Sequence, residues 1–437
     1  MDFIKKSAYV FRNKYAGLAI DFITSILIVR YLGSEEYGQY TVIYIIPLLI
    51  ASLGSFGFGP SIVYHINKLE INVSKYLVTF TSLGFILSLF YISVLFILIP
   101  YINEIFYENK INLSLFYISI LFIPLMIIQK YLRAIIRGMY QIKIFSFILD
   151  FFAPLLRLML ISSFIYLNLG LFGIIFVPVF LQGTITLIFF IYLFRNSNFG
   201  SDKKFISKND FLLITKFALK SYLGTALQKS NESLIMLIAS AFLSFSQIGY
   251  LSLAKKLLQF IIEVTNSVTT VLMPKVSKSS IQQIEFYIPK VTSILFGFNL
   301  LFIICYLSFL EIFVEIIYGN EFIEIVNYSI PLSIVTIFLP FANILLITIS
   351  FTGDPLKKMY ARGFGLIINL IIFYPLYSIF GAIGFVISIA IGQFMIFLLS
   401  LIFFINKFKG INIHSLFILK IDDLKYLIKT LKHQLAL

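Results

Sequence analysis

Apolar runs of about 20 residues or more recur a dozen times along this chain, each long enough to cross a bilayer core of about 30 Å. They lie near 9–31, 40–63, 76–101, 113–133, 145–167, 171–194, 216–243, 248–273, 290–313, 328–351, 362–380 and 382–405. This pattern predicts an all-α polytopic membrane protein of about twelve transmembrane helices. Composition agrees: 60% apolar residues, 12% charged residues and a mean hydropathy of +0.98 describe a chain whose main solvent is lipid. A soluble domain with so little charge would aggregate.

The net charge of +14 does not indicate nucleic acid, because the lysines and arginines sit in short clusters between apolar runs. Their expected partners are anionic membrane lipids. With the N-terminus placed in the cytoplasm, one set of helix ends and loops collects Lys5, Lys6, Lys68, Lys75, Lys130, Arg133, Arg137, Lys143, Arg195, Lys203, Lys204, Lys357, Lys358 and Arg362. The other set keeps Arg30 and Lys110 amid glutamates such as Glu35, Glu36, Glu104, Glu311 and Glu321. By the positive-inside rule both termini are expected in the cytoplasm. The N-terminal segment carries Arg12, Lys14 and Asp21 and no small-residue cleavage site, so it reads as a retained helix and not as a signal peptide. The single Cys305 can form no intrachain disulfide, and the three histidines show no metal-ligand spacing.

The longest polar connection, Arg195 to Asn209, divides the chain near its middle. The expected organisation is a six-helix bundle over 1–194, a cytoplasmic linker over 195–215, a second six-helix bundle over 216–405 and an amphipathic tail over 406–437. Leu32–Gly38 after the first helix is echoed by Leu243–Gly249 after the seventh, and Gly138 with Lys143 is echoed by Gly353 with Lys357 and Lys358. Two short echoes suggest a parallel duplication about an axis normal to the membrane, and they are also short enough to arise by chance.

Charges within the spans are the candidate functional residues, since each costs about 2.5 to 3.5 kcal/mol at the centre of an inserted helix. They are Lys14 and Asp21, Asp150 and Arg157, Lys229 and Glu232, and Lys255, Lys256 and Glu263. Lys14/Asp21, Asp150/Arg157 and Lys256/Glu263 are seven residues apart and share a helix face, while Lys229/Glu232 can touch directly. Lys14 and Asp150 are also near enough to a span end to snorkel to the surface. A cationic, water-filled lumen lined by Lys14, Arg157, Lys229, Lys255 and Lys256 suits an anionic head group crossing lipid. Asp21, Asp150, Glu232 and Glu263 balance that charge or carry a coupling H+ or Na+; the spacing does not separate these roles, and no other cofactor is implied. The glycines at 54, 57 and 59 resemble half a phosphate loop but lack its strand and helix, so a turn or a close helix approach is the better reading. Prolines within the spans, such as Pro154 and Pro178, mark kinks or are simply tolerated by a packed bundle.

The run Arg30-Tyr31-Leu32-Gly33-Ser34-Glu35-Glu36-Tyr37-Gly38 resembles the R-x-L-G-x-x-x-(F/Y)-G signature that follows the first helix in polysaccharide-export flippases of the multidrug/oligosaccharidyl-lipid/polysaccharide (MOP) superfamily. More degenerate matches continue in order at Arg137-Gly138, Gly249-Tyr250, Pro274, Tyr318-Gly319 and Glu321-Phe322. The resemblance implies a Wzx-type flippase of the bacterial inner membrane, with two six-helix lobes around a V-shaped, MATE-like cavity. Its substrate would be an undecaprenyl-pyrophosphate-linked oligosaccharide repeat unit of an O-antigen, capsule or other surface polysaccharide, moved to the periplasmic leaflet by alternating access. The polysaccharide polymerase machinery is an implied partner. Arg30, Leu32, Gly33 and Gly38 would then be structural, shaping the turn between the first two helices. Lipid II flippases and drug/cation antiporters of the same superfamily remain alternatives. A membrane polymerase or glycosyltransferase is a further one, although the external loops, about ten to fifteen residues long, are short for a catalytic domain. A non-enzyme is therefore expected.

Overall fold

The computed structural model describes residues 2–68, 72–196 and 205–418. Every element among them is helical: α1 (Asp2–Leu53), α2 (Phe58–Lys68), α3 (Val73–Tyr107), α4 (Leu113–Ile120), α5 (Phe122–Gly138), α6 (Ile142–Ser146), α7 (Ala153–Tyr166), α8 (Gly170–Asn196), α9 (Lys208–Phe242), α10 (Phe245–Lys278), α11 (Ile281–Tyr318), α12 (Ile325–Phe351) and α13 (Pro355–Lys407). A π-helical turn, Phe147–Phe152, joins α6 to α7. In lipid a helix satisfies its own backbone, which is the reason the apolar runs take this form.

Among the described residues, eight helical stretches are long and apolar enough to cross a membrane. Two of these fold back at a glycine. Gly33 in α1 (φ 72°, ψ −178°) and Gly381 in α13 (φ 59°, ψ −139°) adopt backbone angles that a side chain would oppose, so each helix becomes two limbs. Among the described residues the eight stretches thus hold ten limbs, and α9 and α10, at 35 and 34 residues, are also long enough to span.

The second limb of α1 stops at the turn carrying Phe56 and Gly57, both with positive φ. The carbonyls freed there find donors: Lys130 Nζ on Ala51 (2.5 Å), Tyr222 Oη on Leu53 (2.8 Å) and Tyr131 Oη on Ser55 (3.3 Å). A cation at a helix C-terminus also complements its dipole. Elsewhere α3, α4 and α9 start on the side-chain caps Asn72, Asn112 and Ser207, and α11 on the Ser280/Gln283 capping box.

The chain packs as two units, Met1–Gly249 and Tyr250–Leu437. In the first, α9 lies against α1 and α2, so the packing division comes one helix after the polar connection. The second is built on an aromatic and aliphatic core from α11, α12 and the second limb of α13. The most apolar windows of α3 and α11 are only 22% and 17% buried, against 67% for α12, so these two helices turn broad apolar faces outward. After α13 the chain does not continue as a helix through 418. It returns through the 3-10 turn Ile413–Leu416, burying Phe408 and Leu416 completely and stacking Phe417 on Phe341 at 5.0 Å. Of the expected amphipathic tail, residues 419–437 lie outside the described residues.

Candidate functional site

The site grows from a defect in one helix. Pro154 has no amide hydrogen to donate, and its ring would strike the carbonyl four residues back, at Asp150. The chain accommodates it with the π turn Phe147–Phe152, whose exit is marked by the Ala153 amide bonding back to Ile148. The widened turn lies directly on α1: a β-carbon on Gly17 would overlap the Asp150 carbonyl oxygen. With the backbones this close, Asp21, one turn beyond Gly17, faces Arg157, whose side chain leans back along α7 as helical side chains do. Arg157 Nη1 stands 3.5 Å from Asp21 Oδ1, with both groups partly open to solvent.

This pair belongs to a cavity of about 340 Å³ lined by Asp21, Arg133, Arg137, Phe145, Asp150, Arg157 and Gln182, with Leu149, Ala153, Pro154, Leu181 and Ile185. Three guanidiniums face two carboxylates, which leaves one net positive charge. Arg133 and Arg137 are one turn apart on α5 and repel each other, and Asp150 acts on both from across the cavity. Arg137 is steadied by the ring of Phe145, 4.3 Å from its guanidinium carbon. The Arg133 Nε is buried and has no hydrogen-bond partner. At 3.5 Å the Arg157–Asp21 contact is longer than a tight charge-assisted bond of about 2.7–2.9 Å.

A second cavity, about 450 Å³, opens on the other side of Arg157 and shares Arg157, Leu181 and Gln182 with the first. Its remaining lining comes from the second limb of α1 (Tyr40, Thr41, Tyr44, Ile45, Leu48), from Phe122 and Pro178, and from Ser233 and Met236 of α9. Tyr40 also interacts with the Arg157 guanidinium through its hydroxyl.

Of the residues singled out in the sequence, Asp21, Asp150 and Arg157 converge on the first cavity. Lys14 lies on α1, one turn before Gly17, and is half-buried. Lys255 and Lys256 are half-buried on the portion of α10 that belongs to the second unit. The side chains of Lys229, Glu232 and Glu263 lie outside the described residues. Arg30 is exposed and Leu32 buried at the bend of α1. A β-carbon on Gly38 would overlap the Phe245 carbonyl, and one on Gly249 would come within 2.7 Å of the Ser34 carbonyl. These contacts are reciprocal: Leu32–Gly38 and Leu243–Gly249 are offset by 211 residues, so the glycine closing each motif rests on the residue that stands third in the other. Ser34 Oγ and Ser246 Oγ complete the junction at 3.4 Å.

Arg133, Arg137, Gln182 and the Tyr40/Tyr44 face were not singled out as site residues. The two arginines read as inner-end charges like any others, and the signal that sets them apart is their i,i+4 spacing on one face.

Residues 3–280 match a family described as "Polysaccharide biosynthesis protein". No curated protein matches the chain. Among solved structures the chain is similar to the lipid II flippase MurJ in an inward closed conformation, with a TM-score of 0.74 and 14% identity over 94% of this chain and 89% of that one. It is also similar to an inward-facing multidrug resistance MATE transporter of the MOP superfamily, with a TM-score of 0.71 and 15% identity over 89% of this chain and 94% of that one. A MOP superfamily transporter from Pyrococcus furiosus, described as having a binding pocket of reverse polarity, matches with a TM-score of 0.64 and 14% identity over 93% and 95%. At these identities the structural likeness establishes the fold alone.

Proposed function

We propose that this chain, which belongs to the polysaccharide biosynthesis protein family of MOP superfamily transporters, is a flippase for a lipid-linked oligosaccharide. In this reading it moves an undecaprenyl-diphosphate-linked repeat unit of a surface polysaccharide from the cytoplasmic to the periplasmic leaflet of a bacterial inner membrane. Both termini are then cytoplasmic, as the lysine and arginine distribution favours.

The observation that carries the reading is the convergence of Arg133, Arg137 and Arg157 on one cavity with only Asp21 and Asp150 to oppose them. A diphosphate diester bears a negative charge on each phosphate, and guanidiniums match phosphate oxygens two bonds at a time. Asp21 and Asp150 offset part of the arginines' mutual repulsion. When the diphosphate enters, it takes over Arg157 from Asp21. The displaced carboxylate then becomes free to bind a proton or Na+, which is how Asp21 would couple transport to an ion gradient. The excess of base over acid argues against a cationic drug as cargo. Lys14, Lys229, Lys255 and Lys256 are proposed as further substrate-binding cations, and Glu232 and Glu263 as further charge-balancing or coupling groups.

The test is the lipid-linked oligosaccharide pool in a deletion strain with and without the gene restored. Accumulation of intact repeat unit at the cytoplasmic face, relieved by the gene, supports flipping. A rise in lipid II instead would move the protein to the peptidoglycan branch that its likeness in fold to MurJ brings to mind. Periplasmic single units would indicate a polymerase, and unchanged pools would end the lipid-carrier reading.

A further inference from the structure

The cavity beyond Arg157 has a different chemistry from the arginine cavity, and we infer that it is the seat of the first sugar ring, the one bonded to the diphosphate. The inference rests on the flippase reading and adds to it a carbohydrate subsite. Its wall is an aromatic ladder: Tyr40 and Tyr44 have ring centroids 5.4 Å apart, and Phe122 meets Tyr44 edge-on at 5.5 Å. The Tyr44 hydroxyl donates to the Ile175 carbonyl across the bundle, which fixes the ring and leaves its hydrocarbon surface to the cavity.

Against this apolar wall stands one polar demand. Gln182 Oε1 is buried and has no hydrogen-bond partner, and an amide oxygen can only accept. Thr41 and Ser233 add hydroxyls to the lining. A ligand that fits all of this has an apolar face for the aromatic rings, hydroxyl or acetamido N–H donors on its rim, and an anion attached at one end to reach Arg157. A pyranose linked to a diphosphate has these features together. A polyprenyl tail offers no donor to Gln182, and a drug cation would meet Arg157 at the shared wall. Because Arg157 and Gln182 line both cavities, the glycosidic linkage falls where the two spaces join.

The experiment measures binding of farnesyl diphosphate, and of farnesyl diphosphate carrying glucose, galactose, N-acetylglucosamine or N-acetylgalactosamine, to the full chain in nanodiscs. At least one sugar is expected to tighten binding by about three- to tenfold over farnesyl diphosphate, the gain one aromatic platform can supply. Gln182→Leu and Phe122→Leu, each checked for an unchanged melting temperature, should remove most of that gain; Phe122→Leu, which does not border the arginine cavity, should also leave farnesyl diphosphate affinity within about twofold. Arg157→Gln should weaken all five probes. If farnesyl diphosphate binds and no sugar improves it, or if the gain survives in both variants, the sugar subsite is wrong while the diphosphate reading stands. If none of the five probes binds, the diphosphate reading fails, and the subsite with it.

Discussion

The second limb of α1 changes character within two turns. Around Ser34 and Gly38 it meets the start of α10 closely, with no room for a methyl group on Gly38 or Gly249, whereas from Tyr40 to Leu48 the same limb borders a cavity of about 450 Å³. The first region is specified by small residues and the second by larger ones, Tyr40, Tyr44, Ile45 and Leu48. A membrane helix gains little from apolar burial against its neighbours, because lipid is equally apolar. Close backbone contact therefore has to be made with small residues, and open space has to be lined with groups that have something to bind.

Breaking each region in turn separates these roles. The largest effect is expected at the cavity: Arg157→Gln should weaken binding of farnesyl diphosphate by about 10- to 100-fold, the range for removing a partly desolvated charge-assisted bond. Arg157→Lys should recover part of this as a point charge without the fork. Next comes the junction. Gly38→Ala should lower the thermal stability of the purified protein, with overpacking costing about 1–3 kcal/mol. Gly59→Ala, where nothing stands within 4 Å, should leave stability unchanged or raise it slightly, by up to about 1 kcal/mol from helix propensity. The pair Ser34→Cys and Ser246→Cys should form a disulfide under mild oxidant, because the native hydroxyls are 3.4 Å apart; failure to cross-link in membranes would contradict the junction.

The smallest effect is expected outside the membrane, at the connection between α12 and α13. There Lys407 Nζ bonds Asp354 Oδ2 at 2.5 Å and the Thr352 carbonyl at 2.8 Å, with Lys357 3.8 Å from the same carboxylate oxygen. The hydrogen bond from Lys407 holds the Asp354 carboxyl below its usual value. The folded value is depressed, so the contribution is complete above the unfolded value of about 3.9 and is lost as pH falls through the folded one. Asp354→Asn should thus lower the melting temperature slightly and by a constant amount from pH 7 to pH 5, with the difference closing only in stronger acid. A difference that shrank already between pH 7 and 6 would contradict this clasp.

Much of the fold is legible in the residues. Run length gives the passes, and Gly33 stands where α1 bends because no other residue is at ease at its backbone angles. Asp150 and Arg157, seven residues apart, line one cavity, but their spacing does not reveal the π turn beneath them. That depends on Pro154 acting on a carbonyl four residues earlier while Gly17 of another helix leaves it space. Arg133 and Arg137 were hidden for a different reason. Near a helix end, a charge aimed at solvent and a charge aimed into a cavity look alike in sequence, and tertiary packing alone separates them. The reciprocal contact of the two glycine motifs spans 211 residues, beyond the reach of any local pattern.

The arginine cavity is proposed to recognise a diphosphate during passage across the membrane. Its most direct test is translocation in proteoliposomes of two fluorescent glycolipids that differ only in the link between farnesol and sugar, one a diphosphate and the other an uncharged ether. The account requires the diphosphate form to cross at a protein-dependent rate that Arg157→Gln abolishes, while the ether stays in its leaflet. Equal rates for the two lipids, or a diphosphate rate no faster than in protein-free liposomes, would contradict it.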